Sequence, residues 1–315
     1  MTVRLLCIAP NPSIDRLVEV ERLVPGSIHR PTSVRAVAGG KGLNVARAAA
    51  SLGATVTAIG ILAGHGGRWL AEALEVDGVT GRFVWTEGET RVCTSIAEAA
   101  TGQLTEVYEA GPAVAAPAWT AFEAAVAEVL AAGPVDAVAI SGSLPPGAPT
   151  DGHARLIGLA RAAGVPAAID GFGDAWAGVL ATRPWLVKAN LAEASAFAQV
   201  TGTDAEDASR LAHDMVAAGA GGAVVTLGVA GAMAAMDGAT WLIGPPADLG
   251  SYPVGSGDAF LAGLVVGHLE GLGTRGALAL GAGAGAANAR TAGAGSLDGA
   301  LARSLAAATQ VDGIG

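Results

Sequence analysis

Short apolar runs of strand length alternate with helix-like runs through most of this 315-residue chain. Strands read over 4–8, 55–61, 137–141, 167–169 and 223–227, and helices over 43–52, 68–75, 120–132, 152–163 and 205–217. Such alternation implies parallel strands covered by helices, an α/β fold whose ligands bind beyond the strand C-termini. Two segments, 15–37 and 83–109, break the rhythm with β-like alternation that includes polar residues, as in Thr90-Arg91-Val92-Cys93-Thr94-Ser95-Ile96. No internal repeat, low-complexity linker or domain boundary interrupts the chain, so 1–315 reads as a single domain.

Composition narrows the function. Half the residues are hydrophobic but only 4% aromatic, so the core must be built largely of Ala, Val and Leu. A net charge of −10 argues against nucleic acid as a partner, because phosphate backbones need a basic surface. Cys7 and Cys93 lie in strand-like runs without metal-ligand spacing and read as buried free thiols, which favours a reducing cytoplasm. The N-terminal run meets Pro10 too early for a signal peptide. Residues 215–236 carry no charge, yet five glycines divide them into two short apolar blocks. That pattern reads as buried sheet and not as a membrane span.

Two glycine motifs carry the chemistry. Val254-Gly255-Ser256-Gly257-Asp258-Ala259-Phe260 is a tight turn leading into a helix. Glycines let the backbone N–H groups approach a ligand, and the helix dipole makes the turn a phosphate site. Asp258 would stand there as a carboxylate able to take a proton from an attacking hydroxyl; as a plain N-cap it would do no chemistry. Far upstream, Gly39-Gly40-Lys41-Gly42-Leu43-Asn44 combines close backbone approach with a cation and an amide that both donates and accepts. It lacks the Gly-X-X-X-X-Gly-Lys-Ser/Thr pattern of a Walker loop. His153-Ala154-Arg155 reads as an ordinary solvated helix face.

Together these motifs resemble the PfkB (ribokinase-like) sugar kinases, and the resemblance spans residues 5 to 290. Asn11-Pro12-Ser13-Ile14-Asp15 is similar to the family's sugar-binding segment, and Glu89-Thr90-Arg91 to the strand that brings an arginine to a substrate phosphate. Ser141-Gly142-Ser143-Leu144-Pro145 and Lys188-Ala189-Asn190 with Glu193 resemble the hexose-phosphate kinase branch, which includes 1-phosphofructokinases and tagatose-6-phosphate kinases. Thr226, Gly228 and Gly231 resemble its nucleotide-binding strand and loop, and Ala287 with Asn288 its adenine-pocket helix. Three positions depart from the pattern: Ala189 replaces a proline, Asp170-Gly171-Phe172-Gly173 replaces Asp-Ser/Thr-Ser-Gly, and Pro253 replaces a threonine. The last change argues against a monovalent-cation site of the ribokinase kind.

The resemblance implies a ribokinase-like fold, with a central mostly parallel sheet and a small β-sheet lid from 15–37 and 83–109. The lid would pair between subunits to form a homodimer. It also implies an ATP- and Mg²⁺-dependent kinase acting on a ketohexose phosphate. Asp258 would be the base, with the N–H groups of Gly255, Ser256, Gly257 and Asp258 stabilising the transferring phosphate. Asp15, Gly39, Gly40 and Asn44 would meet the sugar, and Lys41 and Arg91 its phosphate. Lys188, Asn190, Glu193, Thr226, Gly228, Gly231, Ala287 and Asn288 would bind the nucleotide, with Glu193 and Asn190 holding Mg²⁺ through water. A kinase of an unphosphorylated sugar or nucleoside, and a binding regulator without catalysis, remain alternatives.

Overall fold

A computed structural model of the chain describes residues 2–170, 176–245 and 250–314. Its elements begin with β1 (Arg4–Ala9), β2 (Ser13–Val20), β3 (Ser33–Gly39), α1 (Lys41–Ser51), β4 (Thr55–Ala63), α2 (Gly64–Val76) and β5 (Thr80–Thr86). There follow β6 (Arg91–Glu98), β7 (Leu104–Tyr108), α3 (Ala116–Ala132), β8 (Ala137–Ser141), α4 (Gly152–Ala162) and β9 (Ala167–Asp170). Next come α5 (Trp176–Ala181), β10 (Leu186–Asn190), α6 (Leu191–Ala198), α7 (Ala205–Ala217), β11 (Ala223–Thr226), β12 (Ala232–Met236) and β13 (Ala239–Ile243). The last are α8 (Ser256–Leu269), α9 (Gly273–Asn288), α10 (Gly299–Ala308) and β14 (Val311–Ile314). Gly171, Phe172 and Gly173 lie outside the described residues.

Among the described residues the strands form two sheets. The large one has the order β14-β13-β12-β11-β10-β9-β8-β1-β4-β5. Its strands from β11 to β5 are parallel to their neighbours, and β12 to β14 extend the β11 edge antiparallel. Asp237 and Gly238 turn β12 into β13 with φ of 53° and 74°, the left-handed pair that a two-residue hairpin needs.

Parallel strands in the middle of such a sheet are covered on both faces, so their residues are apolar without alternation. In β1, Leu5, Cys7 and Ala9 pack with α1, α8 and α9, whereas Leu6 and Ile8 pack with Trp119, Phe122 and Leu156 on the other side. The first layer replaces bulk with close approach. A Cβ on Gly263 of α8 would lie 2.5 Å from the Leu280 carbonyl oxygen of α9, and one on Gly283 would lie 2.3 Å from the Ala302 carbonyl oxygen of α10. This is how a chain so poor in aromatic residues fills its interior.

The second sheet, β3-β2-β6-β7, stands apart from the first. β2 is antiparallel to β3 and parallel to β6, and β6 is antiparallel to β7. The 83–109 segment is split between the sheets, because Phe83 to Thr86 pair with Gly60 to Ala63 in the large sheet. Between β1 and β8 the strand order changes direction, and open α/β sheets bind ligands at such a point. The start of α1 sits over it: a Cβ on Gly42 would meet Ala9 of β1 and the Ser141 carbonyl oxygen of β8 within 3 Å. Among the described residues no helix is long and apolar enough to cross a membrane.

Candidate active site

Both glycine motifs end at helix N-termini that lack a side-chain cap, with Gly40 at φ 83° before α1 and Gly255 at φ 84° before α8. Left-handed backbone favours glycine, and at Gly255 the surroundings also demand it, since a Cβ would fall 2.7 Å from the Gly295 nitrogen. In α8 the hydrogen-bond ladder starts when the Ala259 N–H donates to the Gly255 carbonyl at 2.9 Å. The Gly257 and Asp258 N–H groups, in the first turn, therefore face outward with the positive end of the dipole. They open into a cavity of about 600 Å³ that also reaches Gly40, Lys41, Asn44, Arg91, Lys188 and Thr226.

Asp258 is buried, and its Oδ2 accepts from the Asn44 amide at 2.9 Å. The same Asn44 nitrogen lies 3.4 Å from Asp15 Oδ2, which also accepts from the Gly40 N–H at 3.1 Å, while the Ser13 hydroxyl donates to Asp15 Oδ1 at 2.6 Å. One amide thus joins the proposed sugar carboxylate to the proposed base, and its own oxygen has no hydrogen-bond partner. Gly39 does not line the cavity. Its role is to leave room for Asp15, whose carboxyl carbon is 2.2 Å from where a Cβ would stand.

Burial raises the Asp258 carboxyl to about 7, helped by the nearby charge of Asp170 and opposed by Lys41, Lys188 and the Asn44 amide. Asp170 goes the other way. Burial alone would raise it, but the Lys188 and Lys41 ammonium groups hold it below the usual carboxylate range. Two neighbouring carboxyls pushed apart in this manner take separate roles: Asp170 stays ionised as a counter-charge while Asp258 can exchange a proton near neutrality.

The lysines share Asp170. Lys188 Nζ lies 3.2 Å from its Oδ1 and Lys41 Nζ 3.6 Å from its Oδ2. Lys188 also sits against the glycine turn before Asp258, because a Cβ on Gly257 would be 2.6 Å from its ammonium. Lys41 makes its shortest ion pair with Glu193 Oε1 at 2.9 Å, and burial, which alone would depress it, is outweighed by Asp170, Glu193 and Asp258. Lys41 and Arg91, expected together on a substrate phosphate, both line the cavity but have different partners. Lys41 is engaged by the Asp170 and Glu193 carboxylates, whereas the Arg91 guanidinium donates to the Asn11 carbonyl at 2.9 and 3.2 Å and to the Glu109 carbonyl at 3.3 Å.

Arg91 is aimed by its own motif. Glu89 accepts from the His65 and Gly66 N–H groups and so caps α2, and Thr90 Oγ1 bonds the backbone of Ala63 at the end of β4. Asn190 and Glu193 form a capping box on α6, with bonds of 2.9 and 2.8 Å. Both Glu193 oxygens are thereby occupied, and Glu193 is absent from the cavity wall. Thr226, Gly228 and Gly231 do line the cavity, as do Lys188 and Asn190.

Two residues expected at the nucleotide site stand off the cavity wall. Ala287 and Asn288 are fully buried and face away; α9 turns Ala282, Gly285 and Ala286 to the cavity, with Ala289 after it. His153 is not solvated either: it is buried beneath the 142–147 loop with its Nε2 2.9 Å from the Gly142 carbonyl oxygen. Sequence reasoning missed Asp170 as a member of the site. Its signal was available, a carboxylate ending a buried parallel strand.

Comparison with known proteins identifies the family. The pattern of the pfkB family carbohydrate kinases matches residues 9–299. A 1-phosphofructokinase of Rhodobacter capsulatus is 34% identical over 272 residues, covering 86% of each chain. A 1-phosphofructokinase of Xanthomonas campestris is 33% identical over 275 residues, again covering 86% of each. The solved structure of a "possible 1-phosphofructokinase" from Thermotoga maritima superposes with a TM-score of 0.90 at 26% identity, covering 99% of this chain and 100% of the other. A large, mostly parallel sheet with a small separate one is the ribokinase-like architecture these proteins share, and the chain belongs to the pfkB family of carbohydrate kinases.

Proposed function

We propose that the protein transfers the γ-phosphoryl group of ATP to a hydroxyl of a ketohexose phosphate, as a 1-phosphofructokinase does. The observation that carries this reading is Asp258, fixed by Asn44 at the N-terminus of α8 and brought near neutrality where a base must work. The acceptor hydroxyl attacks the γ-phosphorus while its proton passes to Asp258. Negative charge gathering on the transferring group is met by the Gly257 and Asp258 N–H groups and by Lys188 and Lys41 on either side of Asp170. The N–H of Ser256 is already used on the Pro253 carbonyl, so the anion site is narrower than the whole Gly-X-Gly turn.

Asp15, Gly40 and Asn44 orient the sugar, with the unpartnered Asn44 oxygen free to accept from one of its hydroxyls. Arg91, held by carbonyl oxygens, keeps its charge for the substrate's existing phosphate. Thr226, Gly228 and Gly231 form one wall for the nucleotide and Ala286 and Ala289 the facing wall. Among the described residues no cluster of three or more His, Cys, Asp or Glu could hold a metal alone. Asp170 Oδ2 has no hydrogen bond, and, with Asn190 on the cavity wall and Glu193 behind, it suits a hydrated ion carried by nucleotide phosphates. Bound Mg²⁺ would neutralise phosphate charge.

The second sheet supports a homodimer. On the face opposite Asp15, Val34 and Val107 are more than half exposed beside half-buried Val18 and Ile96. An apolar sheet face of this kind is stabilised by a second copy. Buried, unpaired Cys7 and Cys93 suit the reducing cytoplasm. A coupled ADP-release assay over ketohexose phosphates, free sugars and nucleosides tests the reading. Turnover confined to free sugars or nucleosides, or none at all, would overturn it.

A further inference from the structure

Asn288, the last residue of α9, does not line the cavity that holds Asp258, yet its amide makes three hydrogen bonds around the turn before α8. Its Nδ2 donates to the Val254 carbonyl oxygen at 2.9 Å and to the Ser256 hydroxyl at 3.2 Å. Its Oδ1 accepts from the Gly295 N–H at 2.8 Å. The first two bonds grip the residues on either side of Gly255, whose left-handed backbone makes the turn. The third ties the turn to the 294–296 loop.

That loop is wedged between the two helix N-termini. A Cβ on Gly255 would lie 2.8 Å from Ala294 Cα, and a Cβ on Gly295 would lie 2.6 Å from Asn44 Cα. From the α1 side the buried Arg47 grips the same loop, donating from Nη1 to the Ala294 carbonyl at 2.6 Å and from Nη2 to the Ser296 hydroxyl at 2.8 Å. Asn288 and Arg47 therefore hold one strut from opposite ends. The strut sets the spacing between Asn44 and Asp258, whose bond of 2.9 Å fixes the base.

We propose that Asn288 is a positioning residue for phosphoryl transfer: through Val254, Ser256 and Gly295 it aligns the turn bearing Asp258 against the helix bearing Asn44. Few short side chains donate twice and accept once from a single planar group, so packing alone does not account for asparagine here. Reaction rates are far more sensitive than binding to such alignment; a displacement of about 1 Å can cost about a hundredfold. Because Asn288 does not reach the cavity, substrate binding should survive its loss.

The inference rests on the kinase reading, and the test separates the two. Asn288→Ala removes all three bonds. Asn288→Asp keeps the volume and the Gly295 bond but replaces both donations with lone pairs. Steady-state constants would be measured for the full chain, with folded sites counted by calorimetric titration with a non-hydrolysable ATP analogue. The expected result is a kcat per folded site lower by roughly 10- to 100-fold, with KM for both substrates and the analogue Kd within about threefold of wild type. Unchanged kcat in either folded variant, or a raised KM at unchanged kcat, overturns the proposal. Failure of both variants to fold also overturns it, since Asn288 would then be a structural residue. A wild type without sugar-phosphate turnover sinks the kinase reading instead.

Discussion

Replacing Asp258 with asparagine keeps the size of the side chain and an oxygen for the Asn44 amide, but it removes the proton acceptor. Two consequences follow with opposite signs. Turnover should fall by about 10²–10⁴-fold while the affinities for ATP and sugar phosphate largely persist, the range expected for loss of a general base. Stability should move the other way. A carboxyl that titrates near 7 when folded, against about 4 in the unfolded chain, costs the folded state roughly 4 kcal/mol once fully ionised. Because the folded value is raised, the stabilising contribution is complete below about pH 4 and is lost as pH rises through about 7. The neutral amide of the Asp258→Asn variant does not titrate and has no such loss. The variant should therefore unfold several degrees above wild type at pH 8, with the gap closing toward pH 4. A coupled kinase assay and thermal unfolding at both pH values check the pair of effects. Near-normal turnover would refute Asp258 as the base, and a melting difference independent of pH would refute its raised titration.

Arg91→Ala should raise the KM for the sugar phosphate by roughly 10- to 100-fold, since a charge-assisted bond to phosphate is worth roughly 1.5–3 kcal/mol, while KM for ATP stays within about threefold; equal KM values for the sugar phosphate would remove Arg91 from the substrate site. Glu193→Gln should raise the Mg²⁺ needed for half-maximal rate several-fold, because it weakens the outer carboxylate and the Lys41 pair together; an unchanged Mg²⁺ titration would leave Glu193 as a helix cap only. Val34→Glu combined with Val107→Glu should halve the mass measured by light scattering by placing charge on the exposed face of the second sheet. An unchanged dimer, or a wild-type monomer, would contradict the assembly.

The order of strands and helices was legible because buried parallel strands and their covering helices leave distinct apolar runs. The two glycine turns and Asp258 were legible because backbone conformation and charge there are written in adjacent residues. Contacts across the chain were not. Lys41 meets Glu193 from 152 positions away, and nothing local indicates that its charge is already taken. The phase of α9 was hidden for a different reason. Residues 281–288 are Gly and Ala up to Asn288, so no amphipathic contrast marks which face looks into the cavity. A rotation of one residue exchanges Ala286 for Ala287 on that wall and turns Asn288 from a ligand contact into a buried strut. His153 was misread for lack of knowledge of what covers α4, namely the Gly142 loop. The boundary of the second sheet slipped because β5 and β6 are both alternating strands, and only pairing assigns them to different sheets.

Phosphorus NMR of the wild-type reaction identifies the product and not merely the loss of ATP. With ATP, Mg²⁺ and fructose 1-phosphate, fructose 6-phosphate or tagatose 6-phosphate in turn, the expected products are ADP and a second phosphate ester on the same sugar for at least one of the three. The corresponding free sugars should react roughly 10- to 100-fold more slowly, as the loss of a desolvated phosphate contact implies. ADP appearing with free phosphate and no new ester, or a new ester formed only on an unphosphorylated sugar, would contradict phosphoryl transfer to a ketohexose phosphate.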